Sequence, residues 1–550
     1  MAEKIDYGIQ EASVSKPSEM AFARKASGLV RGLSFIDAFG VGFMNQGMTV
    51  SMWVMISLGL SVYTGGNLII ATLLSVLLCG IGFPLVWGIL GGSMPRSGGE
   101  YIYNSRILSP LIGIAESFGN AFVWIMWIYV LAPWTVTGLK WMFQFLDMPS
   151  AADFLAEPVG LFAVASVVNL IALLFLVFGM KFFSRAQKVV MGAAMFGGVV
   201  ILVVLSTTSH AGFVSAWNAI ADKYGSLSYN SFLDAVRPVM AEAGTPLKET
   251  WNWFDTLGLM VAGSWLFAYS YCITFIAGEV KRPDKTIILG NLFAVVVPAV
   301  FMIWLAIALY NLVDFQFLSA TAYVDNAGGI DGYTVPWSPT FVGFAAMITR
   351  SPILLIIMAS SFILFNLWYV ALSYLAFPRI LFAWGMDRMG PKWFSDIDYR
   401  FSTPVKNHIL CFILGEIGIA LYAFWQNPMT GLSVTGMEIV SVFGITAVAA
   451  LIFPFVKKVR HIWDASPYKN WKILGIPVVT IGGAVNLIYL GILFYFYFVM
   501  PSSEQPLVKG SLILYAVIWG VGIIWYFYWK RRNAKVGVDT SMTYGELPPD

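Results

Sequence analysis

Twelve separate runs of predominantly apolar residues recur along this chain, each near twenty residues long, at about 33–57, 67–91, 110–141, 158–179, 186–207, 253–278, 286–312, 352–377, 407–426, 434–456, 473–499 and 510–529. An apolar helix of that length matches the roughly 30 Å hydrocarbon core of a bilayer, and a soluble core has no use for so many. Of the 550 residues, 58% are hydrophobic and 11% charged, whereas soluble domains carry about 25% charged residues. The sequence therefore reads as an all-α membrane protein with twelve spans. The run at 110–141 is long enough to tilt or to extend past the hydrocarbon.

Basic residues orient the spans, because cytoplasmic loops retain lysine and arginine. With a cytoplasmic N-terminus, alternate loops leave only Lys140, Lys223, Arg237, Lys248, Arg350 and Lys509 outside, six of 33, and place the other 27 inside. This asymmetry predicts an even number of spans, both termini in the cytoplasm, and a multi-pass protein of the cytoplasmic (plasma) membrane. The net charge of +3 is too small to suggest a nucleic-acid partner. Cys79, Cys272 and Cys411 lie in apolar runs without metal-ligand spacing, and His210, His408 and His461 are scattered, so no disulfide, metal or other cofactor is expected. There is no G-x-x-x-x-G-K-[ST] motif for ATP-driven pumping. No cluster of His, Cys and acids suggests an enzyme. The polar first 30 residues do not resemble a cleavable signal. The long connections 209–252 and 311–336 fall outside and predict no folded extra domain, with one short surface helix over 339–349.

The first run breaks the pattern. Between Leu33 and Ile56 it places Gly40, Gly42, Asn45, Gln46 and Gly47 near its middle, where an unsatisfied polar group in hydrocarbon costs several kcal/mol. Glycines and two amides at mid-depth suggest a broken helix lining a cavity. They suit equally a face of small residues against a neighbouring helix.

Three loop motifs carry a resemblance. Ser93-Met-Pro-Arg-Ser-Gly-Gly-Glu-Tyr-Ile-Tyr103 resembles the P-x-[SA]-G-G-x-Y-x-Y loop of the amino acid–polyamine–organocation transporter superfamily. Glu279-Val-Lys-Arg-Pro283 is similar to its E-V-K-N-P. Pro378 to Pro391, with Phe401-Ser-Thr-Pro404, is similar to its R-x-L-Y-A-x-A-x-D-G-x-x-P…F-x-T-P loop. The resemblance covers about residues 30–530. It implies two inverted five-helix repeats, spans 1–5 and 6–10 over 31–456, both beginning with an interrupted helix. Spans 11–12 over 457–530 follow, with tails at 1–30 and 531–550. The implied activity is amino acid transport by alternating access, with an amine, polyamine or exchange transporter, or a nutrient receptor on the same scaffold, as alternatives.

The resemblance also implies a site. The family's G-[SAT]-G break falls on Asn45-Gln46-Gly47, keeping only the last glycine, so the amides would replace or supplement backbone donors to a substrate carboxylate or fill space. With Gly42, these residues form the first half of the expected substrate site. In the sixth span the family's break glycine falls on Tyr269, an acid of some relatives on Tyr271, and a capping aromatic on Trp265; with Ser270 these form the second half. Trp265 and Tyr269, four residues apart, share a helix face, which also suits plain helix packing. Lacking an acid, such a pocket is expected to take neutral, apolar or aromatic amino acids. Sodium or a proton is the expected coupling ion. Ser360-Ser361 matches a hydroxyl pair that holds sodium in some relatives, and a lysine that replaces the ion in others falls on Ala194. Four intramembrane acids, Asp37, Glu116, Glu416 and Glu438, are read as interfacial or gate ion pairs ahead of proton relays.

Overall fold

A computed structural model of the chain describes residues 31–398, 400–425, 429–499 and 509–548. Ten described helices, from Leu68–Ser93 to Leu512–Lys535, are long and apolar enough to cross a membrane, and there are eleven if Val440–Phe455 and Lys457–Ala465, bent by 74°, count as one. The first run is divided at Gly47 into Phe35–Gln46 and Met48–Trp53, and continues helically to Val62. Helix starts follow local chemistry. Ser34 and Asp37 form a capping box, Asn67 and Ser109 accept first-turn N–H groups, and Pro110, Pro158, Pro283 and Pro352 open their helices where no N–H is needed.

The outer helices turn large apolar residues outward, while the centre of the bundle is filled by rings such as Trp87, Trp124, Trp127 and Trp368. Pro158–Val177 exposes Val159, Val167, Leu170 and Leu174 while burying Gly160, Ala165, Asn169 and Ala172. That arrangement reverses a soluble helix and lets backbones approach closely. Two faces terminate the bundle. The terminal face carries both ends of the described chain: Leu33 bridges to Val280, and Tyr544 reaches Tyr101.

Two regions depart from expectation. On the opposite face the helix expected over 339–349 is present as Phe341–Ile348, though buried, and the connections also fold into helices His210–Tyr224, Tyr229–Glu242 and Phe315–Ala327. These share an aromatic core in which Trp217 packs against Phe232, Phe317 and Tyr229, so they form a cap that loop-like composition concealed. At the other end the tail from 540 to 548 folds back, and Tyr544 is buried beneath the guanidinium of Arg106, 5.1 Å from its ring centre.

Candidate functional site

The first break is set by one residue. Gly47 adopts φ 54° and ψ 55°, a left-handed conformation that ends one helix and starts the next. The sixth segment is interrupted at matching depth: α-helix Trp253–Phe267 gives way to a 3-10 helix over Ala268–Glu279. Twelve residues is far beyond the usual three or four for that geometry, whose hydrogen bonds are poorer.

Side chains of the first segment compensate. The Gln46 amide donates from Nε2 to Phe267 O at 3.2 Å and accepts the Tyr269 N–H at 3.1 Å. Asn45 Nδ2 donates to Tyr269 O at 2.8 Å, while Ser51 Oγ bonds Gln46 O at 2.5 Å and approaches Trp265 O at 3.3 Å. Gln46 thus supplies the donor and acceptor of the peptide unit that a continuous helix would have offered. Each such bond contributes about 0.5–1.5 kcal/mol, and a buried backbone group left without one costs about 1–3 kcal/mol. Among the described residues here, the buried Asn45 Oδ1 and Ser270 Oγ have no hydrogen-bond partner.

Aromatic rings enclose this clasp. Trp127 packs edge-on against Trp265 at 4.7 Å and Tyr269 at 5.6 Å, and meets Tyr369 at 5.6 Å. The column continues through Trp134 to Trp53 on one side and through Tyr271 to Trp87 on the other. Both ends are shut. Toward the opposite face, Trp53 Nε1 donates to Asp325 Oδ2 at 2.7 Å. Burial raises that carboxyl above its usual range, against the opposing pull of hydrogen bonds from Ser57 and Trp53. Toward the terminal face lie two buried ion pairs: Arg106, three residues past the first loop motif, with Asp387 of the third at 2.6 Å, and Arg379 of the third with Glu279 of the second at 2.7 Å. Tyr101 OH also donates to Asp387 at 2.8 Å.

Most expected site residues converge at the clasp: Asn45, Gln46, Gly47, Trp265, Tyr269 and Ser270 meet there, and Tyr271 begins the next aromatic layer toward Trp87 and Phe443. Gly42 does not join them. A Cβ on it would lie 2.7 Å from Ile273 Cδ1 and 3.1 Å from Ala294 Cβ, so its smallness serves helix approach. Ser361 and Ser360 part company. Ser361 Oγ meets Thr49 Oγ1 at 2.6 Å and Ala194 O at 2.7 Å, whereas Ser360 bonds Ile356 O on its own helix.

Of the acids, Asp37 pairs with Lys188 at 2.7 Å. Glu416 takes hydrogen bonds from Ser166 and Asn169, and Glu116 from Asn104, so neither forms the expected ion pair. The Glu438 side chain lies outside the described residues. Trp127, Tyr369, Thr49 and Ser51 were not singled out from the sequence, because nothing local separates Trp127 from Trp124 or Trp134 in the same run.

A sequence model of the amino acid permease family matches residues 40–536. Among curated proteins, the chain is similar to cationic amino acid transporter 4 of Arabidopsis thaliana, a vacuolar protein, with 27% identity over 201 residues. That alignment covers 36% of this chain and 30% of the relative, less than a third of its length.

Proposed function

This chain belongs to the amino acid permease family, and from that premise we propose that it is a secondary transporter moving neutral amino acids across the cytoplasmic membrane by alternating access. In this reading it has twelve spans in two inverted repeats plus a C-terminal pair, and its lysine-rich terminal face is cytoplasmic. The observation that carries it is the meeting of two interrupted segments at the buried centre, where carbonyls of Phe267 and Tyr269 accept hydrogen bonds from the side-chain amides of Gln46 and Asn45. A substrate ammonium is the better donor and would displace Asn45 and Gln46 from those carbonyls. The Ser270 hydroxyl, unpartnered here, and the amide N–H groups so released are placed to donate to the substrate carboxylate, while Asn45 Oδ1 can accept from the ammonium. The surrounding rings of Trp127, Trp265, Tyr269 and Tyr369 suit an apolar side chain.

The relative named for cationic amino acids points to a different substrate. Against it, the residues that form the clasp and the surrounding rings are all uncharged, and a distal ammonium buried among them would lack a counter-charge. A thermal-shift panel on the purified protein decides between them, because a ligand of the folded state raises the unfolding temperature by mass action. Leucine or phenylalanine is expected to stabilise at concentrations where arginine and spermidine do not. Equal or greater stabilisation by arginine would transfer the reading to cationic substrates.

Thr49 Oγ1, Ser361 Oγ and Ala194 O converge from three segments, but the two hydroxyls bond each other and Ser361 also bonds the carbonyl, so the oxygens a sodium ion would need are already engaged. Uptake undiminished when choline replaces sodium is the expected result, and a loss of uptake would assign the coupling to sodium.

A further inference from the structure

Two carboxylic acids are buried on the terminal side of the site, and among the described residues no cation pairs with either. Glu100 and Glu116 are both 0% exposed. Glu100 lies at the start of helix Glu100–Ile107 and Glu116 in the second turn of Pro110–Phe145. The two helices hold each other's acids reciprocally. Asn120, one turn beyond Glu116, donates to Glu100 Oε2 at 3.3 Å, and Asn104, one turn beyond Glu100, donates to Glu116 Oε1 at 3.2 Å. Trp87 Nε1 donates to Glu100 Oε1 at 2.6 Å, and Asn104 also bonds Thr446.

The hydrogen-bond inventory of this site is unbalanced. Glu116 Oε2, Asn104 Oδ1 and Asn120 Oδ1 are all buried acceptors with no donor. Buried polar atoms in native structures are nearly always partnered, and two ionised carboxylates in a dry site without a cation would cost far more than the fold can absorb. The nearby cations do not answer the need: Arg106 is matched by Asp387 and Arg379 by Glu279. Of the other titratable groups around the acids, Tyr103, Tyr271 and Cys272 carry no charge near neutral pH, and Lys458 lies beside Arg106. A proton resolves the imbalance, since it removes a negative charge and turns one surplus acceptor into a donor. Burial pushes the Glu100 carboxyl up, to about 8.

We propose that Glu100 and Glu116 form a proton-binding site, protonated while the bundle is closed and emptied when the terminal face opens, and that this proton drives the transport assigned above. The geometry supplies the coupling. Trp87, which holds Glu100, packs 6.0 Å from Tyr271 and 5.2 Å from Phe443, and Tyr271 lies two residues past the clasped Tyr269. Opening that face moves Tyr271 and wets the acids. The step is one O–H bond formed with a proton from water on one side and broken to water on the other.

The role as a driving ion rests on the transporter reading, and the test separates the two. In full-length protein reconstituted in liposomes, infrared difference spectra are expected to show the carbonyl stretch of a protonated carboxyl at pH about 7, where ordinary carboxylates are ionised. It should disappear in Glu100→Gln/Glu116→Gln, isosteric changes that the fold should accept because they mimic the protonated form. Absence of the band, or its persistence in the double variant, overturns the site. With an enclosed pH dye, leucine uptake by wild type should acidify the lumen. Glu116→Gln should lose at least about tenfold of pH-driven uptake while keeping leucine–leucine exchange, and Glu116→Asp should restore acidification. Leucine uptake without acidification overturns the coupling and leaves transport standing. The band without any leucine uptake supports the proton site and sinks the transporter reading instead.

Discussion

Gln46 completes the hydrogen bonding of a helix to which it does not belong. Replacing it with alanine removes its buried hydrogen bonds to Phe267 O and the Tyr269 N–H, and at about 0.5–1.5 kcal/mol for each bond the variant should unfold at a lower temperature in detergent. A saturating neutral amino acid should restore more stability to Gln46→Ala than to wild type, since the ligand takes over a vacated carbonyl. An unchanged melting temperature would mean that the clasp is incidental. Gly47→Leu tests the other side of the break. Leucine in a left-handed conformation costs roughly 1–2 kcal/mol, and its Cβ would sit 3.2 Å from the Tyr369 ring. The variant should express and lose substrate binding, read by thermal shift. Glu100 adds a pH dependence of defined sign. Its folded pKa of about 8 lies above the unfolded value of about 4.3, so its stabilisation is complete below about 4.3 and is lost as pH rises through about 8. Melting temperature should fall over that window in wild type and fall less in Glu100→Gln.

At the scale of elements, the two interrupted segments were unequally legible. Gly40, Gly42 and Gly47 beside two amides announce a break in the first, because glycine and amide are out of place in hydrocarbon. In the sixth, Ala268 to Glu279 is almost wholly apolar and aromatic, and hydropathy cannot distinguish a 3-10 turn from an α-turn. Its departure comes from tertiary contact with Gln46 and Asn45, which no local pattern carries. The cap was missed for a related reason: Phe213, Trp217, Tyr229, Phe232 and Phe317 are spread over two polar connections and form a core only when these pack together. The folded-back tail yields a prediction at this scale. Tyr544 covers Arg106 and its hydroxyl meets Tyr101 at 3.1 Å, beside the Arg106–Asp387 pair. Deleting residues 539–550 should loosen the terminal face, seen as faster labelling of a Ser97→Cys variant by a membrane-impermeant maleimide added to that face. Labelling at the full-length rate would show that the tail does not hold it shut.

For the molecule as a whole, an aromatic column is sealed at one end by the hydrogen bond from Trp53 to Asp325 and at the other by the buried pairs Arg106–Asp387 and Arg379–Glu279. The three loop motifs recognised in the sequence, together with Arg106 three residues past the first, supply the second seal, which is why they were legible as loops before their shared function was visible. A central site closed at both ends, flanked by seals of different chemistry, is the arrangement from which each face can open in turn. Uptake of radiolabelled leucine by proteoliposomes bearing wild type or Gly47→Leu tests this account most directly. Wild type should accumulate leucine above empty liposomes, with phenylalanine competing and spermidine not, and Gly47→Leu should fall to the level of empty liposomes. Absence of uptake by wild type, or uptake by Gly47→Leu at the wild-type rate, would contradict a substrate site at the crossed breaks.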